Sequence, residues 1–195
     1  MKFHNCHYSV GVCLEVFKNL HFIQFHDGEF VKGSGVYMGI ENLVKVENKV
    51  KKLELKSWRL HKGNLKELVK IFPYVEDFRM INCFDFSLGC TEDFSNLVTY
   101  LETISKWTHL RNLLLIDTFY LDTICQNYMS PAYFDRDINE VLDYINNTFS
   151  QDAEIEITFG HYMDILQNEQ TLIATIFKKN GTEASLLPPR LRQST

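Results

Sequence analysis

No apolar run in the chain approaches the 18 or so residues of a membrane-spanning helix, so a helical membrane protein is not expected. An excess of basic charge is also missing. The 20 Lys and Arg residues face 25 Asp and Glu, for a formal net charge of -5, whereas a general nucleic-acid binder needs a concentrated basic surface to neutralise phosphates. Cysteine is sparse: Cys6, Cys13, Cys83, Cys90 and Cys125 form an odd and scattered set, unlike the paired framework of a small secreted domain. A reducing compartment, cytoplasmic or nuclear, is the expectation. The apolar stretch from Tyr8 to Leu14 is short, lacks a clear basic lead and runs into Glu15, so a signal peptide is not expected either. The triplets Asn146-Asn147-Thr148 and Asn180-Gly181-Thr182 would matter as glycosylation sites only in a secreted protein.

What is present is ordinary globular composition. Hydrophobic residues make up 45% and charged residues 23% of 195 positions, above the low-hydrophobicity, high-charge range of disorder. That length suits one domain or one continuous stack of repeats. Within it a rhythm recurs: LHFIQFHDG from Leu20, VKKLELKSW from Val50, VEDFRMINC from Val75 and LRNLLLIDT from Leu110 all carry apolar side chains at offsets 0, 3 and 5. A fifth copy, DAEIEITFG from Asp152, keeps Ile155 and Ile157 but starts on an acid. This spacing is neither helical nor simply alternating. It fits a short strand whose offset 3 and 5 side chains point inward, followed by a turn near offset 8, where Gly28, Trp58, Cys83 and Thr118 stand.

Helical patterns follow the copies. Leu65, Leu68, Val69 and Phe72 share one face up to Pro73; Phe94, Leu97, Leu101 and Ile104 share another. Ile138, Val141, Leu142 and Ile145 make a third, with Asp137 as N-cap and Glu140 in the capping-box position. Shorter or less regular patterns run through Ile40, Leu43 and Val44, and through Leu166, Ile173, Ile176 and Phe177. The expected fold is α/β: a short leucine-rich-repeat-like solenoid of about five strand-helix units with a curved parallel sheet, since no such unit can bury its apolar face alone. Residues 1-19 would be an N-terminal cap, 20-179 the repeat domain and 180-195, with Pro188-Pro189, an extended or disordered tail. An ordinary parallel α/β domain is the alternative.

On VKKLELKSW, VEDFRMINC and LRNLLLIDT the sequence resembles the ribonuclease-inhibitor-like leucine-rich repeats, above all the divergent repeat regions of F-box proteins, over about residues 20 to 178. That resemblance implies a curved sheet that holds a substrate protein, with attachment to a ubiquitin ligase scaffold. Only 19 residues precede Leu20, too few for a three-helix F-box, and none resembles its opening motif.

Strand alternation then assigns the outward side chains, at offsets 2, 4 and 6. They are Phe22, Gln24 and His26; Lys52, Glu54 and Lys56; Asp77, Arg79 and Ile81; Asn112, Leu114 and Ile116; Glu154, Glu156 and Thr158. Ile81, Leu114 and Ile116 would form an apolar centre with Lys52 and Lys56 on one side and Glu154 and Glu156 on the other, the composition of a protein-binding surface on the concave strand face. Leu114 and Ile116 alone also fit a strand buried on both faces. The charges Lys51, Lys52, Glu54 and Lys56 do not, because several would be buried unpaired.

Sequence features that could carry chemistry are few. Gly33, Gly35 and Gly39 stand between the first strand and a helical pattern, where glycines let backbone N-H groups approach a phosphate. A small α/β enzyme binding a nucleotide-like ligand there is the alternative function. The spacing departs from the dinucleotide fingerprint, and no acid follows Lys56-Ser57-Trp58 to take a ribose. His4, Cys6, His7 and Cys13 are metal-ligating types without a familiar zinc spacing. Asp135, Asp137, Glu140 and Asp143 cluster at a helix start, where the macrodipole accounts for them. No Ser or Cys nucleophile sits in a strand-turn-helix motif. The expectation is therefore a non-enzymatic protein-binding module with no cofactor and no metal.

Overall fold

A computed structural model describes residues 2-4, 19-29, 48-60, 64-85, 95-121, 131-161 and 172-187 of the chain. In these the elements run β1 (Lys2–His4), β2 (Phe22–Glu29), β3 (Lys52–Leu60), α1 (Asn64–Ile71), β4 (Asp77–Ile81), β5 (Phe84–Asp85), α2 (Ser95–Ile104), β6 (Asn112–Leu121), α3 (Pro131–Thr148), β7 (Glu154–His161), β8 (Leu172–Lys178) and β9 (Ser185–Leu187). The fold is α/β, an open and mostly parallel sheet with a few helices. Strand order is β1-β2-β3-β4-β6-β7-β8-β9, with β5 continuing the β4 line against β3. Pairing is parallel from β1 to β7 and antiparallel for β8 and β9. Apart from β5, each described strand lies beside its sequence neighbour. The order never doubles back, so these strands form no topological switch point of the kind at which doubly wound sheets bind nucleotides.

Register aligns the copies of the sequence rhythm residue for residue. Ile23, Leu53, Phe78, Leu113 and Ile155 form one inward row, and Phe25, Leu55, Met80, Leu115 and Ile157 the next. All ten are buried. Each such Leu, Ile, Phe or Met contributes about 1.5–3 kcal/mol when removed from water. They share one core with Leu65, Leu68 and Ile71 of α1, Leu97, Leu101 and Ile104 of α2, and Ile138, Val141 and Ile145 of α3. The three described helices therefore lie on the offset 3 and 5 side of the sheet. Phe78 packs against Trp107, the rings tilted by 57° with centroids 4.7 Å apart, and Phe25 meets Trp58 at 5.3 Å.

Two backbone devices repeat from unit to unit. At offset 7 the chain turns left-handed: Asp27, Ser57 and Asn82 have φ of 50°, 50° and 51°, a conformation that short polar side chains tolerate better than apolar ones. The kink re-phases the alternation. Asp27, Ser57 and Asn82 point to water, and the next residues Trp58 and Cys83 enter the core, which is why the apolar offsets run 3, 5, 8 rather than 3, 5, 7. The β6–β7 pairing shifts register between Leu115 and Phe119, at the same level. At the other end of the strands, His21 O accepts from the N-H groups of Lys51 and Lys52, Lys51 O from Glu76 and Asp77, and Glu76 O from Arg111 and Asn112, all at 2.7–3.0 Å. Arg111 O accepts from Glu154 N at 2.7 Å in the same manner.

Side chains seal the helix ends between units. Asn48 Nδ2 donates to Ile71 O at 2.6 Å and Trp107 Nε1 to Phe72 O at 2.7 Å, satisfying carbonyls that the end of α1 leaves without an intrahelical partner. Pro73 then prevents continuation. Cys83 Sγ donates toward Leu55 O at 3.3 Å, tying its turn to the preceding strand.

Two expectations need correction. The helical pattern through Ile173, Ile176 and Phe177 is strand β8; LIATIFK is rich in β-branched residues and alternates, with Ile176 buried and Thr175 and Phe177 half-buried. Helix α3 begins at Pro131, not beside Asp137, because proline is pre-organised for the first helical position. Residues 2-4, assigned to a cap, form β1 in register with Gln24, Phe25 and His26. Of the expected tail, Ser185–Leu187 pair with β8 as β9, and Ala184 N donates to Asn146 Oδ1 of α3 at 2.7 Å. The pattern at Ile40, Leu43 and Val44, and Phe94 and Leu166 of the others, lie outside the described residues.

Candidate functional site

The face opposite the described helices is built from offsets 2, 4 and 6. Register sets them in rows: Phe22, Lys52, Asp77, Asn112 and Glu154; then Gln24, Glu54, Arg79, Leu114 and Glu156; then His26, Lys56, Ile81 and Ile116. Neighbouring strands are about 4.8 Å apart, so each residue touches those beside it in its row. Asn112 and Glu154 are exposed, and Lys52, Lys56, Asp77, Arg79, Ile81, Leu114, Ile116 and Glu156 are half-buried. Glu54, His26 and Thr158 are buried.

On the β2–β4 side the charges neutralise one another. Arg79 grips Asp77 with two parallel hydrogen bonds, Nε to Oδ1 at 2.9 Å and Nη2 to Oδ2 at 3.1 Å, the strong bidentate geometry of a guanidinium and a carboxylate. That hydrogen bonding, aided by the Asp77 and Glu54 charges and opposed by burial, holds the guanidinium pKa above its ordinary value. Lys52 Nζ lies 3.3 Å from the same carboxylate and 5.2 Å from the Phe22 ring centroid. Gln24 Nε2 donates to Glu54 Oε1. Lys56 makes no ion pair among the described residues.

The β6–β8 side differs. Leu114 and Ile116, with Ile81 beside Ile116, form a half-buried aliphatic cluster. Glu156 stands directly across the strand pair from Leu114, and neither it nor Glu154 has an ion-pair partner among the described residues. Strand β8 extends the row with Phe177 opposite Glu156 and then Ser185 of β9. Lys179 Nζ sits 5.6 Å from the Phe177 ring centroid. Phe177 was not expected on this face, because its segment read as helix; the alternation in LIATIFK was the available signal. Lys2, exposed and in register with Gln24, was also missed.

Residues at the margins are structural. Below the face, Lys51 Nζ bonds Glu76 Oε1 at 2.7 Å and holds that carboxyl below its usual range. Burial pushes the Cys83 thiol up to about 12, against any nucleophilic role. Lys178 is buried with Nζ 3.3 Å from Gln151 O and 3.1 Å from Thr182 O, fastening the turn before β7 to the turn before β9. No group of three or more His, Cys, Asp or Glu among the described residues is placed to hold a metal ion. Cys6, His7 and Cys13 of the metal-ligating set, and all of Gly33, Gly35 and Gly39, lie outside the described residues. No described helix is long and apolar enough to cross a membrane.

No protein-family model matches the sequence, and neither a curated protein nor a solved structure matches the chain.

Proposed function

We propose that the chain is a non-enzymatic protein-interaction module of the leucine-rich-repeat type, a solenoid that binds a partner protein on the sheet face opposite the described helices. The repeat reading is supported by the sequential strand order, the left-handed residue recurring at Asp27, Ser57 and Asn82, and the carbonyl staircase from His21 through Arg111. The binding reading is carried by one observation: Ile81, Leu114 and Ile116 form an aliphatic centre that stays half-exposed, with Lys52, Lys56, Asp77, Arg79, Asn112, Glu154 and Glu156 and the buried Glu54 around it. Covering such a centre releases water from apolar surface, while the surrounding charges steer and select. The F-box resemblance makes a substrate of a ubiquitin ligase one candidate for that partner.

Affinity purification from the native host, comparing wild type with Leu114→Glu/Ile116→Glu, tests it. The expected result is a partner, accompanied by ligase scaffold subunits, recovered only with wild type while both chains give the same far-ultraviolet circular dichroism. Equal recovery by both chains would count against the face, and recovery of a partner without scaffold subunits would remove the ligase role alone.

A further inference from the structure

The unmatched charge on the sheet face narrows the chemistry of what it binds. Leu114 and Glu156 are cross-strand partners, with side chains about 5 Å apart at Cβ. Any surface that covers Leu114 therefore strips water from the Glu156 carboxylate as well. An ionised carboxylate taken from water without a counter-charge is strongly disfavoured. On the β2–β4 side this demand is already met inside the chain, because Asp77 has Arg79 and Lys52, and Glu54 has Gln24. On the β7 side it is not: Glu154 and Glu156 have no ion-pair partner among the described residues, and Lys179 is placed over Phe177.

Resting on the interaction-module reading, we infer that the partner is a protein segment bearing an Arg or Lys beside an aliphatic or aromatic side chain, the cation meeting Glu154 and Glu156 and the apolar group covering Leu114, Ile116 and Ile81. Arginine suits the site better than lysine, since its planar fork bonds a carboxylate bidentately and is more weakly hydrated. The Phe177 ring beside Glu156 adds an aromatic face for a guanidinium to stack on. Lys56, three strands from Glu156 and without an ion pair among the described residues, places the complementary acidic end of the segment about 15 Å away.

The test is selection of a displayed random-peptide library on the full chain, followed by titration of the enriched peptides against three variants of unchanged circular dichroism. The expected consensus has Arg or Lys next to Leu, Ile, Phe or Met. Its affinity should fall at least tenfold in the isosteric Glu154→Gln/Glu156→Gln variant, fall beyond detection in Leu114→Glu/Ile116→Glu, and weaken in higher salt. A Glu156→Lys variant should select acidic peptides instead. Peptides lost in Leu114→Glu/Ile116→Glu but indifferent to the glutamine substitutions, or carrying an acidic consensus on wild type, would overturn the charge inference and leave the binding face standing. Peptides indifferent to every variant, or no enrichment over a non-binding control, would overturn both.

Discussion

The two halves of the open sheet face share one register and one backbone design yet treat charge in opposite ways. Between β2 and β4, Arg79, Asp77 and Lys52 neutralise each other and Glu54 is hydrogen-bonded by Gln24, so little is left for an outside group to satisfy. Between β6 and β8, half-buried Leu114 and Ile116 lie beside Glu154 and Glu156, which no described residue pairs. On the proposed reading, the difference separates a self-contained scaffold half from a half whose polar and apolar groups would both be satisfied by a partner.

The largest expected effect breaks the comparison at its root, by asking whether β6 has an outside at all. Leu113→Glu/Leu115→Glu, on the inward row, should cost about 5 kcal/mol or more and abolish cooperative unfolding, because two carboxylates enter the core. Leu114→Glu/Ile116→Glu on the same strand should shift the urea midpoint by no more than about 1 kcal/mol equivalent. Similar losses in both would show that β6 is buried on its two faces.

Next comes the Cys83 thiol at the end of the β4 line. Its folded pKa is raised from 9.0 to about 12, so its contribution to stability is complete below pH 9 and is lost as pH climbs from 9 toward 12. The stability gap between wild type and Cys83→Ala should therefore narrow by about 1–2 kcal/mol between pH 8 and pH 10.5, measured by urea unfolding at each pH. A gap that widens would contradict the buried neutral thiol.

A smaller effect separates the halves directly. Arg79→Met leaves Asp77 with Lys52 alone and should cost about 1 kcal/mol, a figure held down by the guanidinium's partial exposure. Glu156→Gln, on the other half, should stay within about 0.5 kcal/mol. Equal costs would mean that Glu156 is as engaged in the free chain as Asp77 is. Smallest of all, Lys51→Met should change stability by less than about 0.5 kcal/mol, since the Lys51–Glu76 pair is solvent-exposed and strained against side-chain entropy. Glu76 has a lowered pKa, so whatever it contributes is present at neutral pH and fades as pH falls through its folded value.

Much of this face was legible because offsets 3 and 5 are apolar in each copy, and burial of those rows leaves offsets 2, 4 and 6 on the other side. VEDFRMINC announced the repeat most clearly: Cys83 enters the core only because Asn82 turns left-handed, and asparagine is one of the few residues that permits it. Asp27 and Ser57 do the same at their copies. The sequence was less informative at the edges. LIATIFK has apolar residues at both helical and alternating spacings; its β-branched residues favour the strand, and its pairing with β7 confirms it. Phe3 and Cys6 repeat the spacing of Met80 and Cys83, a signal too short to read without the pairing of β1 to β2. Ion pairing was not legible at all. Arg79 and Asp77 stand two residues apart on one strand and Lys52 at the matching offset of the preceding copy, but which side chains close on which carboxylate depends on rotamers that the sequence does not state.

Hydroxyl-radical footprinting of the chain, alone and bound to the partner recovered by affinity purification, addresses the central claim most directly. Alone, Leu114, Ile116 and Ile81 should oxidise readily while Leu113, Leu115 and Phe78 are protected; in the complex, protection should spread to Ile81, Leu114, Ile116 and Phe177. Protection confined to the helices, with Leu114 and Ile116 oxidised equally in both states, would contradict the account.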